Sequence, residues 1–186
     1  MKVFAVSAII GLGLMPSSLM AQGSFSDPST GFGITVAAPF TVEPASRRQF
    51  DVGIGVKSST GLPRIVGTGQ FVCEAGFKAA SQNNDLTRQE INAFVLKPEW
   101  RKLARAAIEL AFTVTSERTF MLEGFRGLEY HARPKLGPGA EDVRTLMSIV
   151  ETSKGRMTIL CLTDRRSFQA SLPTFRSLRN AVTLPK

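Results

Sequence analysis

Apolar residues recur at every second position in several stretches of the chain, a period typical of half-buried β-strands. This alternation predicts strands over residues 34–38, 50–57, 71–78, 120–122, 128–131, 143–151 and 156–163. The last two strands flank a short segment that ends in Gly155, a residue that accepts the positive φ of a tight turn. We therefore expect a β-hairpin there.

Helical spacing replaces the strand period in two regions. Thr87 and Glu90 form a capping box, which predicts the start of a short helix. A longer helix is predicted over 98–112, with a proline in its first turn and apolar residues on one face. A terminal helix is predicted over 171–182, opening at Pro173. Strands, helices, further strands and a closing helix predict an α+β domain with an antiparallel sheet.

The N-terminal residues have the layout of a secretory signal peptide. Lys2 precedes an apolar run of about 13 residues, too short for a bilayer that needs about 20, and a proline and small residues follow. We expect cleavage after Ala21 and a protein that matures in the periplasm or is secreted, with no transmembrane span after cleavage. Residues 22–31 are polar and predict a flexible leader, and residues 32–186 predict one domain.

Charge is spread unevenly along the chain. Residues 22–100 contain seven basic and seven acidic side chains, whereas residues 101–186 contain fifteen and eight. The C-terminal part therefore carries the excess positive charge. Candidate residues for binding an anionic partner are Arg165, Arg166, Arg176 and Arg179. An ordinary solvated helix face is the alternative interpretation of this charge. No nucleic-acid-binding motif accompanies the charge, so nucleic acid is not an expected partner.

Side chains that commonly carry chemistry are scarce in this sequence. With one His and two Cys, a Ser-His-Asp triad would have to use His131, and a zinc site of several cysteines is impossible. No cofactor is expected. Glu129 lies two residues from His131 on one strand face, and we interpret them as a solvated or hydrogen-bonded strand pair rather than as metal ligands. Gly53 and Gly55 lack the spacing of a phosphate loop and indicate a strand face covered closely by another element.

Cys73 and Cys161 both fall in predicted strands. An exported chain meets an oxidising compartment, where an even number of cysteines favours a disulfide. Two separate buried thiols are the alternative, and the sequence leaves both open.

Three segments resemble the PsbP-like superfamily, which includes DcrB-type periplasmic proteins. Residues 29–39 are similar to its opening strand, residues 118–130 to its central hydrophobic strand, and residues 155–182 to its last strand and closing helix. The resemblance implies an antiparallel sheet between helices, an α/β/α sandwich. It also implies an accessory or partner-binding role without a common enzymatic activity.

Three functional hypotheses follow from these observations. The first is an exported, non-catalytic periplasmic accessory protein that binds an envelope protein, lipid headgroup or cell-wall polymer through its basic C-terminal face. The second is a small-ligand carrier with a pocket between helix 98–112 and the sheet, where Trp100 would flank the groove. The third is a hydrolase that uses His131.

Overall fold

The fold is taken from a computed structural model, which describes residues 23–185. The predicted signal peptide over residues 1–21 and its cleavage site lie outside the described residues. Within residues 23–185, no helix is long and apolar enough to cross a membrane.

The described chain contains three α-helices and ten β-strands. The helices are α1 (Arg88–Val95), α2 (Pro98–Glu109) and α3 (Phe168–Asn180). The strands are β1 (Gly23–Ser26), β2 (Gly33–Val36), β3 (Phe40–Pro44), β4 (Val52–Ser58), β5 (Cys73–Ala79), β6 (Phe112–Leu122), β7 (Phe125–Pro134), β8 (Val143–Thr152), β9 (Gly155–Asp164) and β10 (Val182–Thr183).

The strands form two antiparallel sheets. The large sheet has the order β3-β4-β5-β9-β8-β7-β6, and the small sheet has the order β1-β2-β10. In the large sheet, β3 to β5 and β6 to β9 each pair in chain order, and β9 joins the two groups by pairing with β5. The register of β6 on β7 shifts between Val114 and Ser116, which marks a bulge in this outermost strand. The architecture is the predicted α+β arrangement.

The two faces of the large sheet bury different clusters. On one face, α3 and the small sheet contribute Phe175 and Ile34 to the larger core, which includes Leu146 of β8. On the opposite face, Trp100 and Ile108 of α2 pack with residues of β6, β7 and β8. The two faces therefore provide separate environments for functional groups.

Glycines in the large sheet allow aromatic rings and backbone to lie directly on it. A Cβ on Gly55 would lie 2.4 Å from the ring of Phe71, and one on Gly53 would lie 2.3 Å from the carbonyl oxygen of Ala45. These distances leave no room for a side chain. The close covering predicted for Gly53 and Gly55 is therefore confirmed.

Several segments differ from the sequence prediction, among them the helix predicted over 98–112, which ends at Glu109 and is followed by β6 from Phe112. Strand β1 lies within residues 22–31 and pairs with β2 at four positions, so part of the expected leader belongs to the folded domain. Helix α3 begins at Phe168, before Pro173, and in the turn that leads into it the side chain of Asp164 accepts hydrogen bonds from the backbone N–H groups of Arg166 and Ser167, each at 2.9 Å. Pro173 is tolerated inside α3 because Gln169, whose carbonyl it leaves without a helical donor, is exposed to water.

A disulfide joins two neighbouring strands of the large sheet. Cys73 of β5 and Cys161 of β9 are direct partners in the register, and their sulfur atoms are 2.01 Å apart. Both residues are buried in the larger core. Of the two alternatives left by the sequence, the structure has the bonded one.

Removing this disulfide is expected to destabilise the domain. The bond closes a loop across a sequence separation of 88, which restricts the unfolded chain strongly. Replacing both residues, Cys73→Ala with Cys161→Ala, should lower the free energy of unfolding by about 2 to 5 kcal/mol in urea titrations. Reductant should destabilise the wild type and leave the double variant unaffected. Equal stability of the oxidised wild type and the double variant would contradict the prediction.

Candidate functional site

A cleft of about 710 Å³ lies between α2 and the large sheet. On the α2 side, Ala104 and Ala107 line it one turn apart, and their small side chains leave the space open. Met147 and Ile149 of β8 form part of its floor. The sequence predicted a ligand pocket at this position, between helix 98–112 and the sheet.

Aromatic side chains line the cleft near the start of α2. Trp100 is buried, and the ring of Phe94 meets it edge-on with centroids 5.8 Å apart. Phe50 lines the cleft from the segment before β4, where its ring lies against Gly76. Rings from three separate parts of the chain thus give the cleft an apolar wall.

One ion pair lies among these apolar groups. Arg156 donates from Nε to Oε1 of Glu151 at 2.5 Å, and its guanidinium carbon is 6.0 Å from the centroid of Trp100. Glu151 is buried, and this burial raises the pKa of its carboxyl despite the charge of Arg156. The pair supplies a compact polar spot in a cleft that otherwise favours apolar groups.

A cluster of charges occupies the opposite face of the large sheet. Glu129 of β7 is fully buried, and three arginines surround it. Arg118 of β6 approaches Oε1 at 2.6 Å, and Arg176 and Arg179 of α3 approach Oε1 and Oε2 at 3.1 and 2.6 Å. The guanidinium of Arg179 also lies over the ring of Phe120, 3.9 Å from its centroid. We call Glu129 with these three arginines the Glu129 cluster.

The cluster sets the ionisation of its members. Burial alone would raise the pKa of Glu129, but hydrogen bonds from His131 and the arginines outweigh it and hold the pKa far below its usual range. Burial lowers the pKa of Arg179, and the neighbouring positive charges lower it further. The carboxylate of Glu129 therefore stays ionised and accepts hydrogen bonds from the arginines of β6 and α3.

His131 belongs to the edge of this cluster. Its Nε2 lies 3.1 Å from Oε1 of Glu129, and its ring meets Phe168 edge-on with centroids 5.2 Å apart. The predicted hydrogen-bonded pair of Glu129 and His131 is confirmed. Within residues 23–185, no group of three or more His, Cys, Asp or Glu side chains is placed to hold a metal ion.

The four arginines proposed from the sequence do not form one exposed patch. Arg165 and Arg166 are exposed in the turn before α3. Arg179 is only 5% exposed and is bound to Glu129, while Arg176 is half-buried and bound to the same carboxylate. The expected exposure of Arg179 is wrong, because helical spacing shows that two residues share a face but not whether that face meets solvent.

Neutralising the central carboxylate is expected to loosen α3 from the sheet. Glu129→Gln leaves the buried guanidinium of Arg179 without its counter-charge, so the free energy of unfolding should fall by about 3 to 5 kcal/mol at neutral pH. Because the folded state lowers the pKa of Glu129, this stabilisation is complete above the ordinary value of 4.5 and is lost as the pH falls below it. Urea titrations from pH 7 to pH 3 measure both effects.

Glu43→Gln serves as the matched control, because Glu43 pairs with Lys57 at 2.8 Å on the surface. That change should cost less than about 1 kcal/mol. Equal losses in the two variants, or a difference between wild type and Glu129→Gln that persists unchanged at pH 3, would contradict the role assigned to the Glu129 cluster.

Comparison with known proteins adds information about the fold. No protein-family model matches the chain, and no curated protein matches it by sequence. Among solved structures, the cyanobacterial PsbP (CyanoP) of Synechocystis sp. PCC 6803 matches with a TM-score of 0.54 and 11% identity, over 96% of this chain and 98% of its own. A Pseudomonas aeruginosa protein of unknown function matches with a TM-score of 0.43 and 9% identity, over 89% and 97% of the two chains. The chain therefore has a PsbP-like fold.

Proposed function

We propose that this protein is an exported, non-catalytic accessory protein of the cell envelope, and that it acts by binding. The PsbP-like fold supports an accessory role by analogy. The disulfide between Cys73 and Cys161 supports maturation in an oxidising compartment, since such bonds persist outside the cytosol. Export by the segment 1–21 would leave the folded domain intact, because β1 begins at Gly23.

The binding site in this proposal is the cleft between α2 and the large sheet. Its volume of about 710 Å³ is the observation that carries the proposal, because typical small-molecule sites measure roughly 300–1,000 Å³. Trp100 and Phe94 supply apolar contact area. The occupant is a small molecule with an apolar body.

Polar residues that line the cleft indicate that the ligand also has a polar end. Lys78 and Gln49 line the cleft, and both are exposed. Lys78 lies 2.5 Å from Asp51, so its charge is already matched by a surface carboxylate. An amphipathic ligand that buries its apolar part beside Trp100 and keeps its polar end near Lys78 satisfies both environments.

The proposal predicts that the purified protein binds a neutral apolar probe next to its only tryptophan. N-phenyl-1-naphthylamine should quench the emission of Trp100 by energy transfer, and the titration gives a Kd. Ala107→Leu places a larger side chain in the cleft and should weaken binding by about tenfold or more, since one methylene already changes binding in an apolar pocket by 10- to 200-fold.

Ala106→Leu is the matched control, because Ala106 is an exposed neighbour on α2 that does not line the cleft. Its Kd should equal that of the wild type. Absence of energy transfer, or equal weakening by the two substitutions, would exclude the cleft as the site.

Export is tested on the native protein. Mass spectrometry of the mature chain from a periplasmic fraction should find Gln22 as the first residue, because the small Ala21 suits the cleavage site. A variant with a charge in the apolar run, Leu12→Arg, should remain unprocessed and accumulate in the cytoplasm. Recovery of wild-type chains that keep Met1 in the soluble cytoplasmic fraction would overturn the export proposal.

A further inference from the structure

We propose that Arg118 and Arg176 form a binding site for a phosphate group at the rim of the Glu129 cluster. The site lies on the face of the large sheet that α3 covers, whereas the cleft lies on the opposite face. The inference does not depend on the cleft, so failure of either proposal leaves the other standing.

Charge around Glu129 is not balanced. Three guanidinium groups surround one carboxylate, so two positive charges remain after the carboxylate is counted. Arginine keeps its charge at any physiological pH, so this surplus cannot be relieved by losing protons. A second anion bound beside the cluster would offset this surplus, and a phosphate group, free or in a lipid headgroup, supplies that negative charge.

Hydrogen-bond donors also outnumber acceptors at this point. Oε1 of Glu129 alone faces Arg118, Arg176 and His131. Ser148 stands directly opposite Glu129 in the register of β8 on β7, yet its buried hydroxyl has no hydrogen-bond partner among the described residues. Several donors thus share the oxygens of Glu129, and the N–H groups of Arg118 and Arg176 that do not reach it are open to another acceptor.

A ligand can reach two of the three arginines. The side chains of Arg118 and Arg176 are 46% and 27% exposed, whereas that of Arg179 is 6% exposed. Both accessible guanidiniums approach the same carboxylate oxygen, so they come from β6 and α3 to one place. Because both guanidiniums already contact that oxygen, a phosphate would bind through their solvent-facing N–H groups at the rim. Ser116, exposed and two residues before Arg118 on the same strand, adds a hydroxyl near this rim.

The chemistry is that of a phosphate group, either free in solution or in an anionic lipid headgroup. Isothermal titration with inorganic phosphate, against chloride at equal ionic strength, measures the first source. Co-sedimentation with phosphatidylglycerol vesicles, against phosphatidylcholine vesicles, measures the second. Binding to inorganic phosphate but not to phosphatidylglycerol vesicles would identify the ligand as a soluble anion. Binding to inorganic phosphate and to the vesicles would identify it as a lipid headgroup.

Two variants separate a specific site from general surface charge. Arg118→Gln should weaken phosphate binding by about tenfold or more, because it removes charge-assisted hydrogen bonds. Arg48→Gln makes the same change of charge at an exposed position outside the cluster and should leave the Kd unchanged.

The proposal is overturned if phosphate binds no better than chloride and anionic vesicles are not retained. It is equally overturned if Arg118→Gln and Arg48→Gln change binding by the same factor. Because Arg118 is nearly half exposed and α3 keeps its contacts from Arg176 and Arg179, the decisive variant is expected to fold.

Discussion

One buried carboxylate organises the side of the molecule that α3 closes. Glu129 accepts hydrogen bonds from β6 and from α3, so it fixes the position of the closing helix relative to the edge of the sheet. Burying an ion is costly unless it is fully paired, and here several cations share the task. The apolar contacts of Phe175 and Leu178 supply the burial, while the charges specify one docking position for the helix.

The two faces of the large sheet differ in how closely they are packed. Beneath α3 the space is filled by aromatic rings and paired charges, whereas beneath α2 small side chains such as Ala104 and Ala107 leave a cleft. A domain that acts by binding needs a rigid support and an accessible concave surface. The disulfide between β5 and β9 holds the centre of the sheet that both faces share.

Local patterns in the sequence accounted for most of the fold and little of the sites. Alternation identified the central strands and the capping box identified α1, because both depend on neighbouring residues. The start of α3 was misplaced because proline is favoured in the first turn of a helix, whereas Pro173 lies inside this one. Partners distant in the chain, such as Arg118 and Arg176 on Glu129, depend on tertiary packing that periodicity does not encode. Phe50 lines the cleft for the same reason.

The bulge in β6 has a consequence for how copies of this protein behave together. An outermost strand of eleven residues has unpaired backbone N–H and C=O groups along one side. A strand of a second chain can form hydrogen bonds with these groups and extend the sheet. The shift near Thr115 interrupts that template, because a bulge breaks the regular spacing of the backbone groups. The bulge therefore disfavours edge-to-edge pairing of copies along the longest strand of the described residues, which lies at the border of the sheet.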